Sequence, residues 1–312
     1  MRRKKGPLPF ILVALLLIAF PLARPPLFFL TLLFTVFMYV ALTESWNLLG
    51  GYAGYVSLGH IAFFATGAYT TAVCMSRYGI SPFATFLLGG VFAGILAALV
   101  GFPVLRLRGA YFTISSLLLA VVMQLAFLNW EFVGSSTGLW YKPVPVSIVA
   151  NRTIFYEAML LLAIAVTLVA RRVERSRFGM GLAAIREDED VAKTMGINTP
   201  WLKMKAFILG AFLAGAVGGI YGYYMSYVHP DITFSMNASL LILLMAFFGG
   251  CGTWSGPLLG AVALSLVNQL IVTFIGAEIS RIFYGLLLVV VIIFMPDGVL
   301  PYMRGLLAAK DA

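Results

Sequence analysis

The chain has 312 residues, 62% of them hydrophobic, and its 21 basic and 12 acidic residues give a net charge of +9. Charged residues make up 11% of the total, against roughly 25% in a soluble domain, too few to cover a water-facing surface. Together with a mean hydropathy of +0.99, this excludes a soluble enzyme, a nucleic-acid-binding domain and a disordered chain, and leaves a polytopic membrane protein.

A membrane-spanning helix needs about 20 predominantly apolar residues. Apolar runs predict helices over 8–22, 27–49, 58–76, 83–105, 111–129, 154–170, 204–227, 236–248, 256–275 and 281–295. The expected fold is an all-α, polytopic transmembrane bundle of nine or ten spans forming one domain over 1–312. The run 236–248 is short and reads as re-entrant or broken. The first run follows a basic Arg2-Arg-Lys-Lys5, but Pro21-Leu-Ala-Arg-Pro25 offers no small-residue cleavage pattern, so it reads as an uncleaved first helix.

Ten spans with the N-terminus inside place Arg2, Arg3, Lys4, Lys5, Arg106, Arg108, Arg171, Arg172, Arg175, Arg177, Arg186, Lys193, Lys203, Lys205, Arg304 and Lys310 on the inner side. Only Arg24, Arg77, Lys142, Arg152 and Arg281 fall outside. The positive-inside rule therefore predicts a multi-pass protein with both termini cytoplasmic. Two loops exceed turn length. The external one, 130–153, carries Gly134-Ser-Ser-Thr-Gly138 and two prolines and should be extended or turn-rich. The cytoplasmic one, 171–203, is the most hydrophilic part of the chain. Within it, 181–196 reads as one amphipathic helix with Leu182, Ile185, Val191 and Met195 near helical spacing, closed by Gly196 in left-handed conformation. Such a helix suits insertion into a groove on a soluble partner; a solvated connecting loop is the plainer alternative.

Many of the 31 glycines form small-xxx-small pairs, among them Gly215/Gly219, Gly218/Gly222 and Gly256/Gly260, which let helices approach closely. Gly249-Gly-Cys-Gly-Thr-Trp-Ser-Gly-Pro257 and Gly50-Gly-Tyr-Ala-Gly54 read instead as helix breaks at Gly50, Gly54, Gly249, Gly252 and Pro257. Broken backbone at membrane depth must be buried in protein or line a water-filled cavity; ordinary interhelical loops fit equally well. Polar residues inside the spans are few. His60, Gln124 and Asn268 are the candidates for a translocation path, with a structural histidine and an interhelical hydrogen bond as the alternatives for the first two. Glu44, near an inner span end, is expected to snorkel or pair. Cys74 and Cys251 form neither a disulfide framework nor a metal site, His60 and His229 lie far apart, and no phosphate-binding loop is present, so no cofactor or metal is expected on this chain.

Asp190-Val-Ala-x-x-x-Gly196 is similar to the Glu-Ala-Ala-x-x-x-Gly loop of ABC-importer permeases. The string Ser176-Arg-Phe-Gly-x-Gly-Leu-x-Ala-Ile-Arg-Glu-Asp-Glu closely resembles the branched-chain amino acid permeases of the LivM type. So do Asn47-Leu-Leu-Gly-Gly-Tyr-Ala-Gly54 with Ser57-Leu-Gly-His-Ile-Ala-Phe-Phe64, Leu105-Arg-Leu-Arg-Gly-x-Tyr-Phe112, Tyr227-Val-x-Pro-Asp231, Gly249-Gly-x-Gly-x-x-x-Gly-Pro257 and Pro296-x-Gly298. The likeness runs from about 41 to 301. It departs at Asp190 and Val191, which stand for Glu and Ala, in lacking the later Ile-x-Leu-Pro, at Ala110 where an acid is often found, and at Gln124 for the same reason.

The resemblance implies a type II-importer-like permease subunit of the bacterial cytoplasmic (inner) membrane carrying branched-chain amino acids, with no enzymatic activity of its own. Glu187, Asp188, Asp190, Ala192 and Gly196 would couple it to the ATPase. Implied partners are a homologous second permease, two ATP-binding subunits holding ATP and Mg, an extracytoplasmic solute-binding protein, and membrane lipid. Related permeases carry urea or short amides. Composition alone also admits an ion-coupled secondary transporter or, less comfortably, a membrane-embedded enzyme.

Overall fold

A computed structural model describes residues 8–141, 147–294 and 298. The inner-side basic residues Arg2 to Lys5, Arg304 and Lys310, the outer-side Lys142, and Pro296 and Pro301 lie outside that range, as do both termini. In chain order the helices are α1 (Leu8–Ala19), α2 (Leu27–Asn47), α3 (His60–Tyr78), α4 (Pro82–Val104), α5 (Gly109–Asn129) and α6 (Ile148–Glu174). Then come α7 (Arg177–Glu187), α8 (Glu189–Thr194), α9 (Thr199–Met225), α10 (Pro230–Thr233), α11 (Met236–Gly249), α12 (Ser255–Phe274) and α13 (Ala277–Phe294). The only ladder among the described residues pairs β1 (Leu139–Trp140) with β2 (Tyr227–Val228), antiparallel. The protein is an all-α polytopic membrane bundle.

Each of the ten apolar runs falls on a helix. Among the described residues seven stretches are long and apolar enough to cross a membrane: α2, α4, α5, α6, α9, α10 with α11, and α12. This is fewer than the nine or ten read from the runs. Helix α1, at 12 residues, extends only about 18 Å at 1.5 Å per residue, short of the ~30 Å hydrocarbon core, and α3 carries Thr66, Thr70, Thr71 and Ser76 along its length. The short run 236–248 is the longer part of a broken helix, with the four-residue α10 ahead of it. Phe234 and Ser235 separate α10 from α11, and together the two cover Pro230–Gly249.

Helix α9 runs through the middle of the bundle against α2, α3, α4 and α6. The packing is backbone against backbone. A Cβ at Gly67 would lie 1.9 Å from the Gly215 carbonyl, and one at Gly218 would lie 1.9 Å from that of Phe64; only glycine allows such an approach. The outward faces of α4 and α5 are apolar yet uncovered, with Leu99 70% and Tyr111 75% exposed. On a water-soluble protein this would be an aggregating surface; here it is the face that meets lipid.

Both long loops hold more helix than their composition predicts. In 130–153, two short 3₁₀ turns and β1 occupy the first part, and α6 begins at Ile148 because the Ser147 hydroxyl caps the Ala150 N–H at 3.2 Å. In 171–203, α6 continues to Glu174 and α9 starts at Thr199, capped by Asn198 on the Trp201 N–H. Between them the expected single helix over 181–196 is two helices. Asp188, with φ −158°, leaves helical conformation and caps α8 by accepting from the Asp190 and Val191 N–H groups at 2.8 and 3.0 Å.

Candidate functional site

The break at Asp188 turns α7 and α8 into an elbow with two different faces. Leu182 and Ile185 of α7 are buried on the bundle. On α8 the buried residue is Ala192, 1% exposed, while Val191 and Met195 are 54% and 76% exposed. The four apolar residues read as one stripe therefore point two ways, because a capping residue resets the helical phase between them. Ala192 packs inside its own chain and does not present a small surface to a partner. Glu187, Asp188 and Asp190 are exposed. Gly196 ends α8 at φ +83°, with its N–H on the Lys193 carbonyl (3.0 Å) and the Ile197 N–H on that of Ala192 (3.1 Å), the paired bonds of a Schellman cap.

Glu189, placed first in α8 by that cap, turns inward. Its carboxylate accepts from the Tyr55 hydroxyl, from Lys203 Nζ at 3.0 Å and from Thr199 Oγ1 at 3.2 Å, with Lys193 Nζ at 3.2 Å and Arg108 Nε at 3.4 Å. The Lys203 ammonium, its side chain 4% exposed, also donates to Tyr55 Oη (2.8 Å) and the Leu105 carbonyl (3.1 Å). Burial would push the Glu189 carboxyl up; the Tyr55 and Lys203 hydrogen bonds and the Lys203 charge outweigh it and hold the pKa at about 2. Next to it, Arg108 grips Asp190 with two bonds of 2.9 Å and holds that carboxyl below its ordinary range. This pair is exposed, so solvent screening keeps its contribution to stability small. One buried carboxylate thus ties α8 to α9, to the start of α5, and to the segment after α2.

That segment, Leu48 to Gly59, is non-helical yet almost wholly buried. Side chains satisfy its backbone, as burial requires. Trp46 Nε1 donates to the Ser57 carbonyl (2.7 Å), Thr113 Oγ1 to that of Val56 (2.9 Å), Ser239 Oγ to that of Leu58 (2.9 Å), and the Leu58 N–H reaches Ser116 Oγ (3.0 Å). Gly50 continues the helical bonding of α2 through its N–H to the Trp46 carbonyl, and Gly54 has φ +75°. The second glycine loop, 250–254, lies against the first. Asn47 donates to the Thr253 carbonyl at 3.0 Å and accepts from the Gly252 N–H at 3.2 Å, and Arg186 of α7 donates to the Gly51 carbonyl at 3.1 Å and that of Cys251 at 3.5 Å. Gly252 has φ +83°, and a Cβ there would meet Arg186 Nη1 at 2.1 Å. Gly249 closes α11 against α12, where a Cβ would lie 1.9 Å from the Gly256 carbonyl. Pro257 is not at the break. It sits in the first turn of α12, where a missing N–H costs no intrahelical bond.

The three residues proposed for a path are not brought together. His60 is buried, its Nε2 2.8 Å from Ser45 Oγ and its ring edge-on to Phe63, a packing role. Gln124 bridges helices through Nε2 to Asp231 Oδ1 at 2.9 Å. Asn268 lines a cavity between α2, α3, α11, α12 and α13 and accepts from Ser280 Oγ at 2.7 Å. Glu44 neither snorkels nor forms an ion pair. It is 0% exposed, and among the described residues neither carboxylate oxygen has a partner in good hydrogen-bond geometry, although Asn47 and the Leu258 N–H are close. Among the described residues no group of three His, Cys, Asp or Glu side chains could hold a metal.

A family model described as "Branched-chain amino acid transport system / permease component" matches residues 27–292, which covers the bundle from α2 into α13. The chain is 30% identical to the high-affinity branched-chain amino acid transport system permease protein LivM of Escherichia coli (strain K12), over 88% of this chain and 70% of that protein. It is 22% identical to the LivH permease protein of the same system and organism, over 84% and 91%. It is also 22% identical to a probable LivM of Methanocaldococcus jannaschii, over 85% and 90%. No solved structure matches. A helical bundle whose outer face suits lipid, with the family match running along nearly all of it, places this chain in the family of branched-chain amino acid transport system permease components.

Proposed function

We propose that the chain is the membrane-spanning subunit of an ATP-driven importer in a bacterial cytoplasmic membrane, moving branched-chain amino acids inward. It pairs with a homologous second permease. Two ATP-binding subunits, which carry the ATP and Mg, sit at the end bearing α7 and α8, and a solute-binding protein docks at the end bearing the β1–β2 ladder. The basic residues Arg106, Arg108, Arg171, Arg172 and Arg175 lie toward the α7–α8 end, which supports a cytoplasmic placement of that end. The observation that carries the reading is the uncovered apolar pair Val191 and Met195 on a short helix whose other face is pinned to three parts of the bundle. Exposed apolar residues at a polar, water-facing end mark a protein contact, and the pinned face gives the contact mechanical consequence. Met180 and Trp201, also exposed, line a hollow with Ile197 and Leu202 at the same end of the chain's cytoplasmic segment.

The test is uptake of labelled leucine by cells expressing the chain with its partners. Uptake should follow ATP and persist when a protonophore collapses the proton gradient at constant ATP, and the purified chain alone should bind no ATP. Met195→Glu with Val191→Asp should leave the protein in the membrane, release the ATP-binding subunits and abolish uptake. Protonophore-sensitive uptake at constant ATP would assign the chain to ion-coupled transport instead. Uptake of urea or a short amide with none of leucine would replace the substrate.

A further inference from the structure

The cavity containing Asn268 has a volume of about 360 Å³, within the ~300–1,000 Å³ typical of small-molecule sites. Its lining is graded. Asn237 lies at the start of α11, Ser280 and Arg281 at the start of α13, and Asn268 in the last third of α12. Because these helices alternate in direction, all four lie toward the end of the bundle bearing the β1–β2 ladder. Leu42 and Leu244, further along α2 and α11, line the deeper part. Polar groups thus surround the mouth, and the rest of the lining is mostly apolar, with Phe64 and the rings of Tyr39, Tyr221 and Tyr284 beside the aliphatic side chains.

The polar groups are poised for a ligand. Asn268 uses its Oδ1 to accept from Ser280, which aims its amide nitrogen elsewhere, and that nitrogen and the Asn237 side chain make no hydrogen bond among the described residues. Arg281 is held only by an exposed contact to Glu278 at 3.3 Å, a pairing that a carboxylate arriving at the mouth can replace. No carboxylate lines the cavity among the described residues, so a cationic side chain would be buried without a partner, a large penalty. A neutral aliphatic side chain meets leucine and aromatic carbon and buries no charge.

Resting on the importer reading above, we infer that this cavity binds the transported solute directly, as a neutral aliphatic α-amino acid. Its carboxylate is held by Arg281 and the Asn268 amide, and its side chain lies against Leu42 and Leu244. Selectivity then belongs to this chain as well as to a soluble binding protein.

The experiment is photo-crosslinking with photo-leucine, a diazirine analogue of leucine, in membranes holding the full chain with its partners, alongside leucine uptake. Label should map to peptides of α2 and α11, where the diazirine-bearing side chain lies, and should be competed by excess leucine but not by lysine. Asn268→Leu should reduce labelling and raise the KM for leucine by about tenfold, the scale for losing one hydrogen bond to a charged group, at unchanged protein level. Leucine uptake by the wild type with label absent or confined to other helices overturns the inference. So does an Asn268→Leu KM within twofold of wild type. Label in the cavity without ATP-dependent uptake keeps the cavity as an amino-acid site and sinks the importer reading instead.

Discussion

The Glu189–Lys203 pair is the sharpest place to perturb the elbow. Glu189→Gln leaves the Lys203 ammonium buried with no anionic partner, held by the Tyr55 hydroxyl, the Leu105 carbonyl and at most the neutral glutamine carbonyl. Breaking one side of a buried ion pair costs about 3–5 kcal/mol. The two remaining hydrogen bonds and the glutamine carbonyl offset part of this, so about 2–3 kcal/mol is expected, expressed as opening of α8 from the bundle. The reporter is Ala192→Cys, placed where the side chain is 1% exposed, in a chain with Cys74 and Cys251 replaced. Its maleimide labelling rate measures the open population. Glu189→Gln should raise that rate about 30- to 150-fold, 1.4 kcal/mol being a factor of ten. Lys203→Met alone should also raise it, since Glu189 then loses its buried cation. The double variant should label far more slowly than the two singles predict if added, with a coupling of about 2 kcal/mol. A change under threefold in Glu189→Gln, or strict additivity in the double variant, would show that the carboxylate does not hold α8.

Four further outcomes follow from the same contacts. Because the Glu189 pKa is depressed from 4.5 to about 2 in the fold, its stabilisation is complete above the unfolded value and drains as pH falls from about 4.5 toward 2; amide exchange in α8, corrected for its intrinsic rate, should be flat from pH 5 to 8 and accelerate below 4.5. Gly196→Val should destabilise α8 by about 1–2 kcal/mol and Gly196→Asn by far less, in the same labelling assay, because the site has φ +83° while nothing lies within 4 Å of a Cβ there. Arg175→Cys should be protected from a membrane-impermeant thiol reagent in intact cells and Arg152→Cys should react; the reverse pattern inverts the topology. Glu44→Gln should leave the melting temperature in detergent unchanged or raise it, since the buried carboxyl has no partner in good hydrogen-bond geometry among the described residues; a drop of several degrees would reveal a partner for it.

The helices were legible because membrane spans announce themselves as long apolar runs, and the glycine pairs because only glycine permits the contacts at Gly67, Gly215 and Gly218. The elbow was legible in part. Its closing glycine follows from local rules, but the break at Asp188 was passed over although its signal is local too: an aspartate just ahead of Asp190 and Val191, whose N–H groups it caps. The central carboxylate was missed for a different reason. Glu189 stood among five acids in a hydrophilic stretch, and its partners Tyr55, Arg108 and Lys203 are brought to it from three other elements. Lys203 reads from sequence as one more basic residue at a span end. Ala192 misled in the opposite sense, since a small residue in a docking loop suggests a partner's groove, whereas it packs under α8 itself.

The bonding pattern explains why the contact surface should be a short capped helix and not a flexible loop. A push on Val191 and Met195 reaches α9 through Lys203, α5 through Arg108 and the 48–59 segment through Tyr55, each across a polar contact that fixes direction. Helix α7 carries the same displacement through Arg186 to Gly51 and Cys251, and Asn47 joins those two loops. Apolar contacts alone would let the elbow slide, because burial is non-directional; charged and hydrogen-bonded ones either hold or break, which suits an element with two discrete positions. The glycine loops complete the argument. They lie where α2 ends and where α11 turns into α12, so a displacement arriving there acts on helices α2, α11 and α12, which line the Asn268 cavity from one side to the other. On the proposed reading, motion at the elbow and access to the cavity would be joined by covalent chain on one path and by Arg186 and Asn47 on the other.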